Sequence, residues 1–487
     1  MSVLPALTFK SLETSSMRNL TLAVAAVAAL AAPAVHAQAP RATAAPILIR
    51  NATIMTVTRG TQTNSDLLLS GGKIAQIGKN IAAPPGARVI DGTGKFVIPG
   101  IIDPHSHMAS DAINEGSLSV TSMARIHDVI NPTDVNIYRA LAGGVTTLNV
   151  LHGSANTIGG QNAVIKLKWG RSADEMFFPG ATPGIKFALG ENVTRKNNGA
   201  IQIPGFATPP RRYPATRMGQ EEVLRDAFMR ARDYKATWDD YRARSAKDKS
   251  LIAPRRDLEL EPLAEVLAGT RFVNAHSYRA DEMLMLLNLA DEFGFKVKTL
   301  QHGLEGYKIA DEIAKHGAGL STFADEWSYK IEAYDAIPYN VAILMRHGVL
   351  TTINSDDDGR ARRLNIDAAK MIRYGGLTED EALSIITING AKQLGIDKRV
   401  GSLEVGKDAD VAIYNANPLS VYSSVEQTII DGEIFFDKTK DLAMRDAEAK
   451  ERAELEKADA NTAPSPRGRP GGAPGAGAPG SNQPENR

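Results

Sequence analysis

The sequence predicts an α/β protein: a (β/α)8 TIM barrel with a small β-sandwich domain built from segments at both ends of the mature chain. Between residues 96 and 401, short apolar strands alternate with helical stretches, a pattern typical of a parallel sheet. Eight such strands occur there, the number that closes a barrel. Segments of alternating polar and apolar residues, broken by Gly and Asn, flank this region and favour a separate antiparallel unit.

The strands are predicted from short runs of apolar and β-branched residues. An open doubly wound sheet is the alternative, but no G-x-G-x-x-G fingerprint follows the first strand. The β-sandwich domain is predicted over residues 46–95 and 402–437, and the barrel over residues 96–401. The predicted barrel strands are 96–102, 144–150, 163–167, 184–189, 271–275, 296–301, 317–322 and 349–354.

An insertion, residues 200–262, interrupts the barrel after its fourth strand. It opens with a loop rich in Pro and Arg, and a helix with one apolar face follows. This insertion is expected either to form part of a substrate lid or to make a packing or oligomer contact. Beyond the β-sandwich, residues 438–460 predict a charged helix and residues 461–487 a disordered tail rich in Pro and Gly. The apolar face of the insertion helix carries Leu224, Phe228, Ala231, Tyr234, Trp238 and Tyr241.

The N-terminal segment has the pattern of a cleavable signal peptide, residues 1–37. After Met17 come a basic residue, an Ala/Leu/Val run and a small-residue site, with cleavage predicted between Ala37 and Gln38. A transmembrane anchor or an ordinary Ala-rich helix is the alternative, but the apolar run is short and ends at a Pro. We therefore expect export to the periplasm or the medium, without a stable membrane anchor.

Composition restricts the classes of partner and ligand. The chain has 56 basic and 56 acidic side chains, which gives no reason to expect nucleic acid as a partner. Cysteine is absent, so disulfides and thiolate metal sites are excluded. Any metal must be held by nitrogen and oxygen ligands.

Five metal-capable side chains stand at the carboxyl ends of four predicted strands. His105 and His107, in "DPHSH", are two residues apart, so both can point into the mouth of a barrel. The fifth and sixth strands end near His276 and His302, and the eighth ends near Asp356. Imidazole and carboxylate groups that converge at one end of a barrel predict a divalent-metal site.

With this set, residues 46–437 resemble the amidohydrolase superfamily of metal-dependent hydrolases. The resemblance extends to "GKFVIPGIIDPHSH" and to "LTEDEALSIITINGAKQLGIDKRVGSLEVGKDADVAIYN". It implies that one metal, expected to be Zn²⁺, is held by His105, His107 and Asp356, and that a second metal is held by His276 and His302. The bridge between the metals would be Lys186 as a carboxylated lysine, with Glu191 as the alternative bridging ligand.

The resemblance implies hydrolysis of a C–N bond in an amide, cyclic amide or small peptide, by a metal-activated water with Asp356 as general acid and base. Tyr278, Arg279 and His152 are the candidate contacts for a small-molecule or dipeptide substrate. A mononuclear enzyme similar to imidazolonepropionase, with unmodified Lys186, is the runner-up. A barrel without catalytic activity is the third interpretation. The resemblance also implies a capacity to form homo-oligomers.

Overall fold

A computed structural model of the chain describes residues 44–195 and 212–460. The predicted signal peptide (1–37), the predicted tail (461–487) and residues 200–211 of the predicted insertion lie outside the described residues. Within the described ranges, no helix is both long enough and apolar enough to cross a membrane.

The strands of the described residues form three sheets. Apart from β1 and β2, each strand has at most six residues. In chain order they are β1 (Ile47–Met55), β2 (Thr61–Ser70), β3 (Lys73–Gly78), β4 (Arg88–Asp91), β5 (Phe96–Pro99), β6 (Ile101–Ser106), β7 (Val145–Val150), β8 (Ile158–Gln161), β9 (Ala163–Lys166), β10 (Gly184–Ala188), β11 (Phe272–Ser277), β12 (Val297–His302), β13 (Gly319–Thr322), β14 (Thr351–Ile353), β15 (Val411–Tyr414), β16 (Val425–Ile430) and β17 (Glu433–Asp437).

Helices separate all consecutive strands from β10 to β15, and others precede β7, precede β10 and follow β17. They are α1 (Val135–Leu141), α2 (Ala173–Met176), α3 (Glu191–Arg195), α4 (Arg217–Ser245), α5 (Leu260–Leu267), α6 (Ala280–Phe293), α7 (Ala310–His316), α8 (Asn340–Arg346), α9 (Asp358–Ala361), α10 (Leu364–Gly375), α11 (Glu379–Ser384), α12 (Ile388–Leu394) and α13 (Lys438–Ala460). Short 3₁₀ helices cover Ile126–Val129, Gly306–Ile309 and Ile331–Ala333.

Both ends of the described chain build one eight-stranded sheet. Its order is β17-β16-β15-β5-β1-β2-β3, and β4 pairs with β1. The two halves meet where β5 runs antiparallel to β15, with Phe96 opposite Tyr414. The predicted first barrel strand, 96–102, was therefore wrong at its start, because residues 96–99 pair within this large sheet. Gly100 separates β5 from β6, and a Cβ there would lie 2.2 Å from Thr146 Oγ1.

The other strands form a six-stranded sheet, β14-β13-β12-β11-β10-β8, and a three-stranded sheet, β6-β7-β9. All pairs from β10 to β14 are parallel. The helices after β11, β12 and β13 supply the crossovers that parallel pairing requires. A main-chain bond from Asp356 N to His105 O (3.1 Å) connects the segment after β14 to β6. The carboxyl ends of these strands therefore meet around His105.

The third predicted strand reverses direction, contrary to the expectation of a parallel α/β domain. β9 is antiparallel to β7, and β8 is antiparallel to β10. Only residues 151–157 connect β7 to β8, and no helix lies between them. So short a connection cannot make a parallel crossover, which needs a dozen residues or more. The predicted segment 163–167 thus corresponds to β9, with β8 preceding it.

The predicted insertion contributes the long helix α4. Its apolar face buries Leu224, Phe228 and Ala231 completely. The Phe228 ring stacks on Phe295 at 4.3 Å between centroids and meets Phe187 of β10 edge-on at 6.0 Å. Burial of one aromatic side chain of this kind contributes about 2–3 kcal/mol. The described part of the insertion is therefore fixed against the sheet that carries the candidate site.

Candidate metal centre

Three of the predicted ligands lie together at the carboxyl end of β6. His105 is in this strand, and His107 follows its last residue. Asp356 Oδ1 is 3.2 Å from His105 Nε2 and 3.1 Å from His107 Nε2, and the two Nε2 atoms are 3.4 Å apart. Each residue offers one ligand atom, and these three atoms all lie within 4.8 Å of one another. This spacing suits a divalent metal bound by nitrogen and oxygen.

Hydrogen bonds to the far side of each ring orient the two histidines. His105 Nδ1 lies 3.1 Å from Gln301 Oε1, and His107 Nδ1 lies 3.0 Å from the carbonyl oxygen of Leu151. Both acceptors favour the tautomer with its proton on Nδ1. The Nε2 atom of each ring is then unprotonated and available as a ligand.

Two of the site residues have strained backbones. Asp356 has φ +46° and His302 has φ +70°, in the left-handed region that residues other than glycine rarely adopt. Buried Asp103 supports this geometry by accepting hydrogen bonds from Ser355 N (3.1 Å) and Ser355 Oγ (2.5 Å). Burial raises the pKa of Asp103 to about 7, while the Ser355 bonds act to lower it. Asp103 thus connects β6 to the backbone that carries Asp356.

His276 and His302 form the second half of the centre. Their ring centroids are 4.6 Å apart, and His302 Nε2 lies 3.7 Å from Asp356 Oδ2. None of their four ring nitrogens has a hydrogen-bond partner among the described residues, although both rings are buried. Burial lowers the pKa of His302 to about 3 and that of His276 well below its ordinary value. Neutral, buried and unpartnered imidazoles fit the role of metal ligands.

Lys186 lies between the two halves on β10 and is fully buried. Its Nζ donates to His105 Nε2 at 3.1 Å and makes no salt bridge with a carboxylate in the described part of the chain. Burial lowers the pKa of Lys186 to about 8, with Asp356 acting in the opposite direction. Glu191, the alternative bridge, begins α3 and its backbone N–H donates to Glu332 at 3.0 Å. It is outside the group formed around Asp356.

The predicted substrate contacts differ in their surroundings. The Tyr278 ring stacks on His302 at 5.2 Å between centroids and is 2% exposed. Arg279 instead pairs with Asp281, with Nε 2.9 Å from Oδ1. Both ring nitrogens of His152 are engaged by the main chain, one by Glu115 N at 2.9 Å and one by Gly153 O at 2.8 Å. Of the three, Tyr278 is the one in contact with the metal-capable histidines.

Sequence reasoning missed three residues that shape the site: Gln301, Asp103 and Tyr329. Asp103 is the first residue of "DPHSH", so its position near a strand end was a signal in the sequence. Gln301 precedes His302, and strict strand alternation would send it to the opposite face. The left-handed φ of His302 breaks that alternation. Tyr329 lies in a loop after β13, where no local pattern marks it.

Comparison with known proteins identifies the family. The family model described as "Amidohydrolase family" matches residues 96–435. Amidohydrolase tasK of Hapsidospora irregularis is 31% identical over 404 residues; the alignment covers 76% of this chain but 40% of tasK. An imidazolonepropionase of Symbiobacterium thermophilum is 26% identical over 380 residues, covering 70% of this chain and 81% of that protein.

A solved structure agrees with these matches. The crystal structure of an amidohydrolase from Thermotoga maritima MSB8 has a TM-score of 0.71 and is 34% identical, covering 80% of this chain and all of that one. The family fold is a TIM barrel with an extra domain, and its members depend on metal. The chain therefore belongs to the amidohydrolase family and is a hydrolytic enzyme that acts on carbon–nitrogen bonds.

Proposed function

We propose that the chain hydrolyses an amide, a cyclic amide or a small peptide with two divalent metals, Zn²⁺ by the nature of the ligands. The observation that carries the proposal is the buried ammonium group of Lys186, which lies 3.1 Å from His105 and has no carboxylate partner among residues 44–195 and 212–460. Carboxylation of this amine would create an oxygen ligand able to bridge two metals. The proposed ligands are His105, His107, Lys186, His276, His302 and Asp356.

The surroundings of Lys186 support this modification. Carbon dioxide reacts with the neutral amine, and a pKa of about 8 leaves about one lysine in ten neutral at pH 7. The product is an anion placed among histidines that can hold metal cations. Its formation removes the cost of an unpaired buried cation.

The mechanism assigns the proton transfers to Asp356. When bound, a divalent metal supplies Lewis-acid polarisation of the carbonyl and lowers the pKa of water. Asp356 takes a proton from the attacking water and delivers it to the leaving nitrogen as the C–N bond breaks. Burial alone would raise the pKa of this carboxyl, but His105, His107 and His302 hold it well below its ordinary value. The basic form is therefore present at neutral pH.

A mononuclear enzyme is the second candidate, and one observation favours it. The group with ligand atoms within 4.8 Å of one another contains His105, His107 and Asp356 but neither His276 nor His302. In that case Lys186 stays an amine and His302 contacts the substrate. The similarity to an imidazolonepropionase agrees with this alternative.

Metal content distinguishes the two. We expect about two metals per chain in protein refilled with Zn²⁺ and bicarbonate, and about one when carbon dioxide is excluded. Lys186→Ala should hold no more than one under either condition. Lys298→Ala is the matched control, because Lys298 lies on β12 of the same sheet, two strands from β10, with its ammonium over the Phe272 ring. One metal per chain in the wild type with bicarbonate would select the mononuclear enzyme.

The substrate class is tested by a hydrolysis screen with metal-replete protein. We expect turnover among N-acyl amino acids, dipeptides and cyclic amides. Cleavage of esters or lactones, with no turnover of these C–N substrates, would contradict the proposed substrate class. The same screen run on Asp356→Asn should show a loss of about 100-fold or more, the range for a lost general acid–base.

Two further proposals concern architecture and location. We propose that β6 to β14 close into the (β/α)8 barrel of the family, supported by the Asp356–His105 bond and by the short gap between β8 and β9. We also propose that residues 1–37 direct export to the periplasm or the medium. Cleavage after Ala37, read by N-terminal sequencing of the secreted protein, tests the second proposal.

A further inference from the structure

A loop after β13 reaches the candidate metal centre and was not anticipated from the sequence. This covering loop, residues 323–339, connects β13 to α8. It begins at Phe323, whose ring stacks on His302 at 4.9 Å between centroids. Further along the loop, Tyr329 and Lys330 contact Tyr278, which packs on the same histidine.

Tyr329 makes a hydroxyl–hydroxyl hydrogen bond with Tyr278. The Tyr329 hydroxyl donates to the Tyr278 oxygen over 2.7 Å. The Tyr278 ring is held by two histidines, edge-on to His276 at 4.8 Å and stacked on His302 at 5.2 Å. Tyr278 is 2% exposed whereas Tyr329 is 36% exposed. The pair therefore extends from solvent to the edge of the metal centre.

Charged contacts hold the covering loop in place. Lys330 Nζ lies 3.9 Å from the centroid of the Tyr278 ring and 3.1 Å from Glu332 Oε1. Glu332 is buried, and its other oxygen accepts the backbone N–H of Glu191 at 3.0 Å. The loop is thus tied to the end of β10, the strand that carries Lys186. Tyr329 is presented by an anchored segment.

The direction of the hydroxyl bond decides what Tyr278 can do. A phenol has one proton to donate, and its oxygen can also accept. When the Tyr278 oxygen accepts from Tyr329, its own proton is available for a third group. Accepting one hydrogen bond strengthens the next donated bond in such a chain. The proton can then reach an oxygen that gains negative charge beside His276 and His302.

We propose that Tyr329 is a positioning residue that orients the Tyr278 proton toward the oxygen of the scissile carbonyl. This inference rests on the proposed function. As water adds to the carbonyl carbon, that oxygen becomes negative, and the hydrogen bond from Tyr278 stabilises it. The proton remains on Tyr278 throughout. When the oxygen lone pair re-forms the C=O bond, the C–N electron pair leaves with the nitrogen, which takes the proton held by Asp356. Lys330 adds a positive charge above the same ring.

A double-mutant cycle tests the pair in full-length, metal-replete protein. Tyr278→Phe should lower kcat by about 100-fold, as loss of one oxyanion donor does. Tyr329→Phe keeps the ring and should lower kcat by about 10-fold, with KM nearly unchanged. The double variant should be no slower than Tyr278→Phe, because Tyr329 acts through Tyr278. Tyr334→Phe, an exposed position in the same loop, is the control and should match the wild type.

A binding measurement separates this inference from the proposed function. Methylphosphonate carries a tetrahedral oxyanion, and its affinity is measured by calorimetry with the same variants. We expect it to fall about 10-fold in Tyr278→Phe and no further in the double variant. If the wild type cleaves no C–N substrate, the proposed function fails, while this cycle still decides the role of the pair.

Several outcomes would overturn the inference. Independent effects of the two substitutions would mean that Tyr329 does not act through Tyr278. A Tyr329→Phe variant with wild-type kcat and wild-type methylphosphonate affinity would remove its role altogether. Loss of bound metal in Tyr329→Phe would show a structural role instead.

Discussion

Two buried lysines, Lys166 on β9 and Lys186 on β10, meet opposite environments. Lys166 Nζ lies 2.8 Å from Asp408, 3.0 Å from Asp410 and 2.5 Å from Asp431. Burial acts to lower the pKa of Lys166, but these three carboxylates raise it above its ordinary value. Lys186 is as fully buried, yet it lies beside His105 and its pKa is lowered to about 8. Equal burial thus accompanies an ion cluster in one case and an amine of lowered pKa in the other.

The partners of the ammonium groups, rather than their burial, distinguish Lys166 from Lys186. Lys166 connects β9 to the large sheet. Asp408 and Asp410 lie just before β15, and Asp431 lies between β16 and β17. Its charge is satisfied where it stands. The charge of Lys186 has no carboxylate partner among the described residues. Carboxylation of the amine, with metal binding, would remove this unpaired charge.

Replacing Lys186 should produce the largest effect on activity. In Lys186→Ala we expect hydrolysis to fall by about 1000-fold or more, because the bridge between two metals is lost. The free energy of unfolding of the metal-free protein should stay equal or rise, since an unpaired buried cation is removed. Kinetics and urea denaturation measure the two quantities. Retention of full activity would place Lys186 with the structural lysines.

Replacing Lys166 should lower the free energy of unfolding and leave the catalytic rate unchanged, the reverse of the effects expected for Lys186. Lys166→Ala leaves buried Asp410 without its cation, which should lower the free energy of unfolding by about 3–5 kcal/mol. The fraction that stays folded should keep the wild-type kcat. Lys168→Ala removes a more exposed partner of Asp431 and serves as the control, with an expected cost of about 1 kcal/mol or less. Equal losses in both variants would contradict the idea of a buried cluster.

The smallest expected effect is a change with pH in the contribution of Lys186 to the free energy of unfolding. In metal-free protein without carbon dioxide, Lys186 loses its proton near pH 8 when folded but near its ordinary 10.5 when unfolded. The unfolded state binds more protons between these values, so stability relative to Lys186→Met should rise with pH there, by about 3 kcal/mol. Denaturation at pH 7, 9 and 10.5 measures the difference. A difference that stays constant over this range would argue against a lowered pKa.

The sequence allowed the metal-capable residues to be predicted because they follow a simple rule. His105, His107, His276, His302 and Asp356 stand at strand ends, and the structure gathers those strand ends at one edge. The two lysines could not be separated in this way. "AVIKL" and "GIKFA" both read as an apolar strand containing one lysine. The aspartates that pair with Lys166 lie far along the chain, so only the tertiary structure distinguishes the two.

Other features escaped prediction for physical reasons of their own. The reversal of β8 and β9 depends on the length of one connection, which strand propensity does not report. The approach of Tyr329 to Tyr278 depends on how a loop folds back, held by Lys330 and Glu332. Left-handed backbones at His302 and Asp356 have no local sequence signal, since neither residue is a glycine.

The pairing of β5 with β15 has a consequence for synthesis. Phe96 and Tyr414 emerge from the ribosome far apart in time, so the edge of β5 stays open while the intervening residues are made. Lys166 is likewise synthesised before its three ion-pair partners, Asp408, Asp410 and Asp431. A chain interrupted before β15 therefore has an unpaired strand edge and a buried lysine without its acids. The C-terminal strands therefore complete the pairing of β5 and supply the carboxylates around Lys166.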